Sequence, residues 1–343
     1  MRKNSYFLLF LLGLPLLGLA QQIPHYSQYM LNPLLLNPAV SGTDNYLDVR
    51  AGYRNQWTGL EGAPTSYYMS AHLPLGRLDY LSPPTSFKAR PVIENGRIQW
   101  RPDRRNNAQK TSPHHGVGIL VQADKAAGLK RTEVQLLYAY HQPLTATLKL
   151  AAGVAAGFTQ FGLNRDMLTF AGTGGDPVLN ADEYNRMLPS IGVGTLLYSS
   201  RFFLGASVAQ VLPTPFGSRE TRSTVPAKQQ RHFFGHGGYR ISVSQFLSVT
   251  PSVVVKYAAP SPLSVDLNAK VFWRDQFWVG GSYRLEDAAV LMAGFQYKQR
   301  FHLGYAYDLT TTGLNQVSYG SHELVLGLML RNRRTVYSPS QYW

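Results

Sequence analysis

LSVDLNAKVFWR, residues 263–274, decides the fold. Leu263, Val265, Leu267, Ala269, Val271 and Trp273 fall on one side of an extended chain, and Ser264, Asp266, Asn268, Lys270, Phe272 and Arg274 on the other. That is the period of two that a β-strand imposes, because successive side chains leave opposite faces. The same division recurs along Phe277, Val279, Gly281 and Tyr283, along Ala289, Leu291, Ala293, Phe295 and Tyr297, along Phe301 to Leu309, and along Leu324 to Leu330. From Pro251 to Leu330 the chain therefore reads as a train of hairpins.

Moving outward from that train, the alternation continues. Tyr46 to Trp57 and Ser66 to Leu75 form a first hairpin, and Gly116 to Gln122, Thr132 to Tyr140 and Ala146 to Thr159 carry the same code. Leu188 to Tyr198 pairs with Arg201 to Val211, and His232 to Ser242 with Leu247 to Tyr257. Runs rich in Gly, Pro, Asp, Asn, Ser and Thr at Gly162 to Asn185 and Pro213 to Lys228 are loops by composition. Glycines 153 and 157, inside a strand run, point to close packing or bending.

The ends of the 343-residue chain are of another kind. Arg2 and Lys3, the apolar stretch Tyr6 to Leu19 and the small residues before Gln21 make residues 1–20 a secretory signal peptide. Gln21 to Asp44 follows, where Pro33 and Pro38 each come after an asparagine and flank an apolar Leu34-Leu35-Leu36. Proline argues against helix and central strand there, so an extended, irregular course is expected. Too apolar to hang in water, the segment is either a packed lead-in or a plug in a barrel lumen, with Asn32, Pro33, Leu35, Asn37 and Pro38 as the candidate plug residues. Residues 332–343 are a C-terminal tail.

No further stretch is long and apolar enough for a membrane helix, and zero cysteines exclude a disulfide framework. The formal net charge of +14 would suggest nucleic acid in a cytoplasmic protein. In an exported chain with scattered basic residues it points to lumen, loop and membrane-surface electrostatics instead. Strands numbering about fourteen, each close to the ~9–11 residues needed to cross a bilayer at a tilt, predict an all-β, antiparallel transmembrane β-barrel of the outer membrane over residues 45–331. A soluble β-sandwich has the same periodicity. Large aromatics on one face and charges on the other over many hairpins favour the barrel, with Asp48, Arg50, Arg54, Asp266, Lys270, Arg284 and Asp308 as lumen residues.

With Gln21 starting in the periplasm, Gly162 to Asn185, Pro213 to Lys228 and Thr310 to Tyr319 face outward, and the turns at Gln142, Ser199, Ser244, Arg274 and Gln299 face inward. The proline-rich, basic stretch Gly76 to Pro113 is the misfit, a long insertion on the short-turn side, expected to be mobile in part. Trp57, Trp273, Trp278, Tyr283 and Tyr307, near strand ends, suit interfacial girdles.

No nucleophile elbow, phosphate loop or zinc signature occurs, so neither catalytic residues nor a cofactor are expected. His232 and His236, four apart on a strand, are too far separated to share an ion, and His114 and His115 point to opposite faces. Asp266 and Asp308 read as charges neutralised in the lumen by Lys270 or Arg284 rather than as an acid pair.

Four strings carry a resemblance: SQYMLNPLLLNPAVSG (27–42), YRNQWTGLEGAPTS (53–66), PSVVVKYAAPSPLSVDLNAKVFWRDQFWVGGSYR (251–284) and GYAYDLTTTGLNQVSYGSHELVL (304–326). Together they resemble the PorP/SprF family of outer-membrane proteins of the type IX secretion system of Bacteroidetes, over nearly the whole mature chain. The resemblance implies a non-catalytic barrel in the outer-membrane lipid that works with other type IX components. Such a barrel engages the C-terminal sorting domain of secreted, adhesin-like cargo and holds or delivers it at the cell surface. The charged lumen keeps a second reading open, a porin-like or substrate-specific channel. Residues 76–113 are longer than the connection expected in that family.

Overall fold

The computed structural model describes residues 26–75, 89–94, 97–102, 113–145, 147–163, 186–212, 229–244, 246–298 and 300–331. The signal peptide, the C-terminal tail and most of the two long loops lie outside these residues. So does much of the insertion.

Fourteen strands close into one antiparallel barrel. They are β1 (Leu47–Asn55), β2 (Thr65–Leu75), β5 (His114–Ala126), β6 (Leu129–Pro143), β7 (Lys149–Leu163), β8 (Arg186–Tyr198) and β9 (Phe202–Ala209) on one side. On the other are β10 (His232–Tyr239), β12 (Leu247–Tyr257), β13 (Ser264–Trp273), β14 (Phe277–Arg284), β15 (Ala288–Tyr297), β16 (Phe301–Thr310) and β17 (Ser321–Leu330). The short β11 (Ile241–Ser242) prolongs β10 along β12. Two pairings make the ring: β10 with β12, and β1 with β17 in a register that sets Ala51 opposite Leu326. Within the insertion, β3 (Ala89–Glu94) and β4 (Arg97–Pro102) form a separate hairpin, where sequence alone suggested only an interruption.

The alternation read from the sequence is the wall itself. Leu267, Val279, Leu291 and Leu326 stand on the outward face with half or more of their surface exposed, while Asp266, Lys270, Arg54 and Asp308 are buried inside. No helix among the described residues is long and apolar enough to cross a membrane. Trp273 and Tyr283 face outward as girdle residues should, but Trp278 does not. It lies one residue out of phase with Phe277 and Val279, so the pleat turns it into the lumen, where its Nε1 donates to His302 Nε2 at 2.9 Å.

Turns alternate between two ends. The connection of β5 to β6 is only Ala127-Gly128, both with positive φ (44° and 87°), the geometry of a tight two-residue hairpin. That end also receives 164–185, 210–231 and 311–320, the last holding a one-turn 3-10 helix at Gly313–Gln316. We call it the long-loop end. The opposite end carries the brief turns 144–148, 199–201, 243–246, 274–276 and 298–300, together with the insertion.

Leu326 sits mid-strand on the outward face, so Leu326→Arg should destabilise the barrel by about 2–4 kcal/mol if that face meets hydrocarbon. Urea titration of the protein in lipid vesicles would read the loss, with Leu326→Ser as the milder control.

Candidate functional site

The lumen is filled by residues 26–44. Pro33–Leu35 and Pro38–Val40 each form a 3-10 turn rather than the extended course expected. Proline at the first position of such a turn has its φ already set and lacks an N–H that would have no partner there. Asn37 caps the second turn, accepting from Ala39 N at 2.9 Å. Leu34, Ala39, Val40 and their polar neighbours are buried against the wall, whereas Leu35 and Leu36 are only half-buried.

At the long-loop end the segment is held by charge. Glu323 of β17 accepts from the backbone N–H groups of Ser27 and Gln28, at 2.7 and 3.1 Å. Ser27 Oγ donates to Asp308 at 2.6 Å, and Arg54 reaches Asp308 at 2.7 Å and Glu323 at 3.0 Å. The guanidinium of Arg284 lies 3.4 Å from Asp266, which also takes Lys256 at 2.7 Å. Two carboxylates around one guanidinium, all buried, are held by charge-assisted bonds: both oxygens of Glu323 and Oδ2 of Asp308 accept from Arg54, from Ser27 or from the backbone of residues 27 and 28. Lower down, Tyr29 OH donates to Asn268 at 3.0 Å and Asn32 donates to Ser70 at 2.9 Å.

At the short-turn end the grip is by imidazole. Gly42 N donates to His72 Nδ1 at 3.2 Å, His114 Nε2 bonds Gly42 O at 3.0 Å, and His141 Nε2 bonds Ser41 O at 2.7 Å. His114 and His141 stack with their ring centres 4.4 Å apart. Between the ends, Asn37 Nδ2 donates to Thr195 O at 2.9 Å and meets His236 Nε2 at 3.1 Å. On the β7 side contact is steric: a Cβ on Gly153 would fall 2.5 Å from Ala39 Cα, so only glycine lets the segment lie this close to the wall.

Asp44, Asp48 and His72 bring three ligand atoms within 4.8 Å of one another. The hydrogen bonds argue for a different use of the cluster. Since His72 Nδ1 accepts the Gly42 N–H, Nε2 carries the ring proton and faces Asp44 and Asp48, each at 3.6 Å. Arg50 already pairs with Asp48 at 2.6 Å. A proton and a guanidinium thus stand where a cation would have to bind.

Above the segment, toward the long-loop end, lies a cavity of about 740 Å³. Tyr26, Tyr29, Leu35 and Leu36 floor it, and the wall adds Trp57, Phe161, Phe234 and Tyr257 beside Arg131, Lys256 and Arg284. Trp57 thus lines this vestibule as well as standing at a strand end.

The residues singled out in the sequence fall in different places. Arg54, Asp266, Arg284 and Asp308 share the long-loop layer, while Asp48 and Arg50 pair near the other end. Of the two cations expected to neutralise the aspartates, Arg284 lies 3.4 Å from Asp266, whereas Lys270 Nζ lies 5.0 Å from the Phe272 ring centre and 5.8 Å from that of Trp278, and Arg54 and Lys256 supply the other pairs. No site role was expected of Glu323, Lys256, His72 or His141, and His114 was weighed only as a metal ligand. Phase alone marks them, since each lies on the inward side of its strand.

Arg54→Met should cost about 3–5 kcal/mol, because it strands two buried carboxylates. Gly153→Ala should cost about 1–3 kcal/mol by forcing the segment off the wall. Unfolding in lipid vesicles, with proteolysis near residues 26–44, would separate loss of the barrel from loosening of its filling.

Several solved barrels align with this chain over most of its length. The Ralstonia pickettii toluene transporter TbuX aligns with a TM-score of 0.45 at 11% identity, over 88% of this chain and 93% of that one. The CymD monoaromatic hydrocarbon channel aligns with a TM-score of 0.47 at 12% identity, over 91% and 93%. Acinetobacter baumannii Omp33 aligns with a TM-score of 0.45 at 7% identity, over 84% and 100%. At these values none of them speaks to what this chain binds. No curated protein matches the sequence. The family model for type IX secretion system membrane protein PorP/SprF matches residues 18–328, and the chain belongs to that family.

Proposed function

We propose that this outer-membrane barrel is a non-catalytic accessory of type IX secretion that binds the C-terminal sorting domain of adhesin-like cargo and helps secrete or anchor it at the cell surface. Family membership places it among type IX components. The observation that carries the finer reading is the filled lumen: residues 26–44 act as a plug, bonded to the wall from Glu323 and Asp308 at one end to His114 and His141 at the other. A lumen so occupied suits an anchor better than a conduit. What it leaves open is the vestibule of about 740 Å³, an aromatic and cationic recess on the long-loop side, which this reading sets outward to receive cargo.

Under the channel reading, charged lumen residues would line a path for solute. Arg50, Arg54, Lys256 and Arg284 are instead each closed by a carboxylate, which argues against free charge along a pore.

Immobilised mature protein should retain the C-terminal domain of a large adhesin from the same genome, and Phe234→Ala in the vestibule should weaken retention. Failure with every such domain would reject cargo binding. In planar bilayers the intact barrel should be nearly silent, and removal of residues 21–42 should open discrete conductance steps. Large steady currents from the intact protein would favour the channel instead.

A further inference from the structure

The two ends of the barrel differ in charge. Connections leaving the wall at the short-turn end, with the insertion, Arg240 and residues 331–343, carry sixteen Lys and Arg against four Asp and Glu. Those at the long-loop end carry five against eight. The excess at the short-turn end alone equals that of the whole chain beyond Arg2 and Lys3.

A second observation says what this charge faces. At the short-turn rim the Arg274 guanidinium lies 4.8 Å from the Trp273 ring centre and 5.3 Å from that of Phe246, and Lys298 Nζ lies 5.0 Å from that of Tyr297. These rings are on the outward face, each about half exposed. The other cation–ring pairs among the described residues, those of Lys256 and Lys270, are inside the lumen. Arg274 and Lys298 therefore lie back against the outer wall at the depth where hydrocarbon gives way to headgroups. Among the described residues neither has a carboxylate within ion-pair distance, in contrast to Arg54 and Arg284 inside. Arg201, Arg300 and Arg331 are exposed on neighbouring turns of the same rim.

We propose that the short-turn rim is a collar that binds the phosphate of anionic phospholipids in the leaflet it faces, anchored by Arg274 and Lys298. A ring-stacked guanidinium keeps its N–H edge free for phosphate oxygens, and several such cations on one arc select a charged headgroup over a zwitterionic one. An acidic protein docking from the aqueous side would be met by cations reaching away from the membrane. Arg274 and Lys298 lie along it.

Native mass spectrometry of the full-length barrel, offered equal amounts of phosphatidylglycerol and phosphatidylcholine, tests the assignment. Intact protein should retain phosphatidylglycerol several-fold in preference, and the Arg274→Gln/Lys298→Gln double variant should lose most of that preference. Lys125→Gln, exposed at the other end, should keep it. A thermal melt would verify that both variants are folded, and since the substitutions lie in turns the wall should be intact. Equal retention of the two lipids by the intact protein, or an undiminished preference in the double variant, would overturn the collar. Displacement of the lipid by inorganic phosphate at equal concentration would reduce the site to a phosphate site. Binding of poly-glutamate that depends on Arg274 and Lys298, without lipid preference, would make the rim a protein-docking surface and overturn the lipid assignment.

Discussion

A chain that crosses hydrocarbon without helices has one way to satisfy its backbone: every strand must find two neighbours, so the sheet must have no edge. Here that requirement is met where β10 joins β12 and where β1 joins β17. Closure then dictates the rest. One face of each strand meets lipid and must be apolar, while the other meets a narrow interior lined with the polar half of the alternation.

A dry polar interior is costly unless each group is paired. The lumen meets much of this cost with ion pairs within and between strands and with a segment from outside the sheet. Ser27 and Gln28 give their N–H groups to Glu323, and Ser41 and Gly42 give their carbonyls to histidines. Filling and wall are therefore stabilised by the same contacts. Compact 3-10 turns suit the segment better than extended chain, because they turn Leu34 and Val40 into the wall while a capping asparagine meets the freed backbone.

Most of the wall was legible because its code is local. Period two, turn residues and strand length are properties of ten residues at a time, and they gave fourteen strands with the correct face inward. What escaped depends on distance in the fold. Nothing within ten residues of Lys270 says that it sits over Phe272 and Trp278 while Arg54 takes Asp308, since β1 and β16 meet only through β17. Trp278 was misjudged because its residue type was weighed above its phase. The hairpin of the insertion was hidden by prolines at Pro91 and Pro102, which lie in its strands. As a free two-stranded piece, it has no central-strand neighbour to forbid them.

The carboxylate that holds the first described residues belongs to Glu323, on the final strand of the sheet, which is also the strand that meets β1. Sealing the ring and securing its contents are thus completed by the same strand. The segment runs directly into β1, and its other end is held by the strand with which β1 pairs, so the seam between β1 and β17 is bridged twice, once by the sheet ladder and once through residues 26–44.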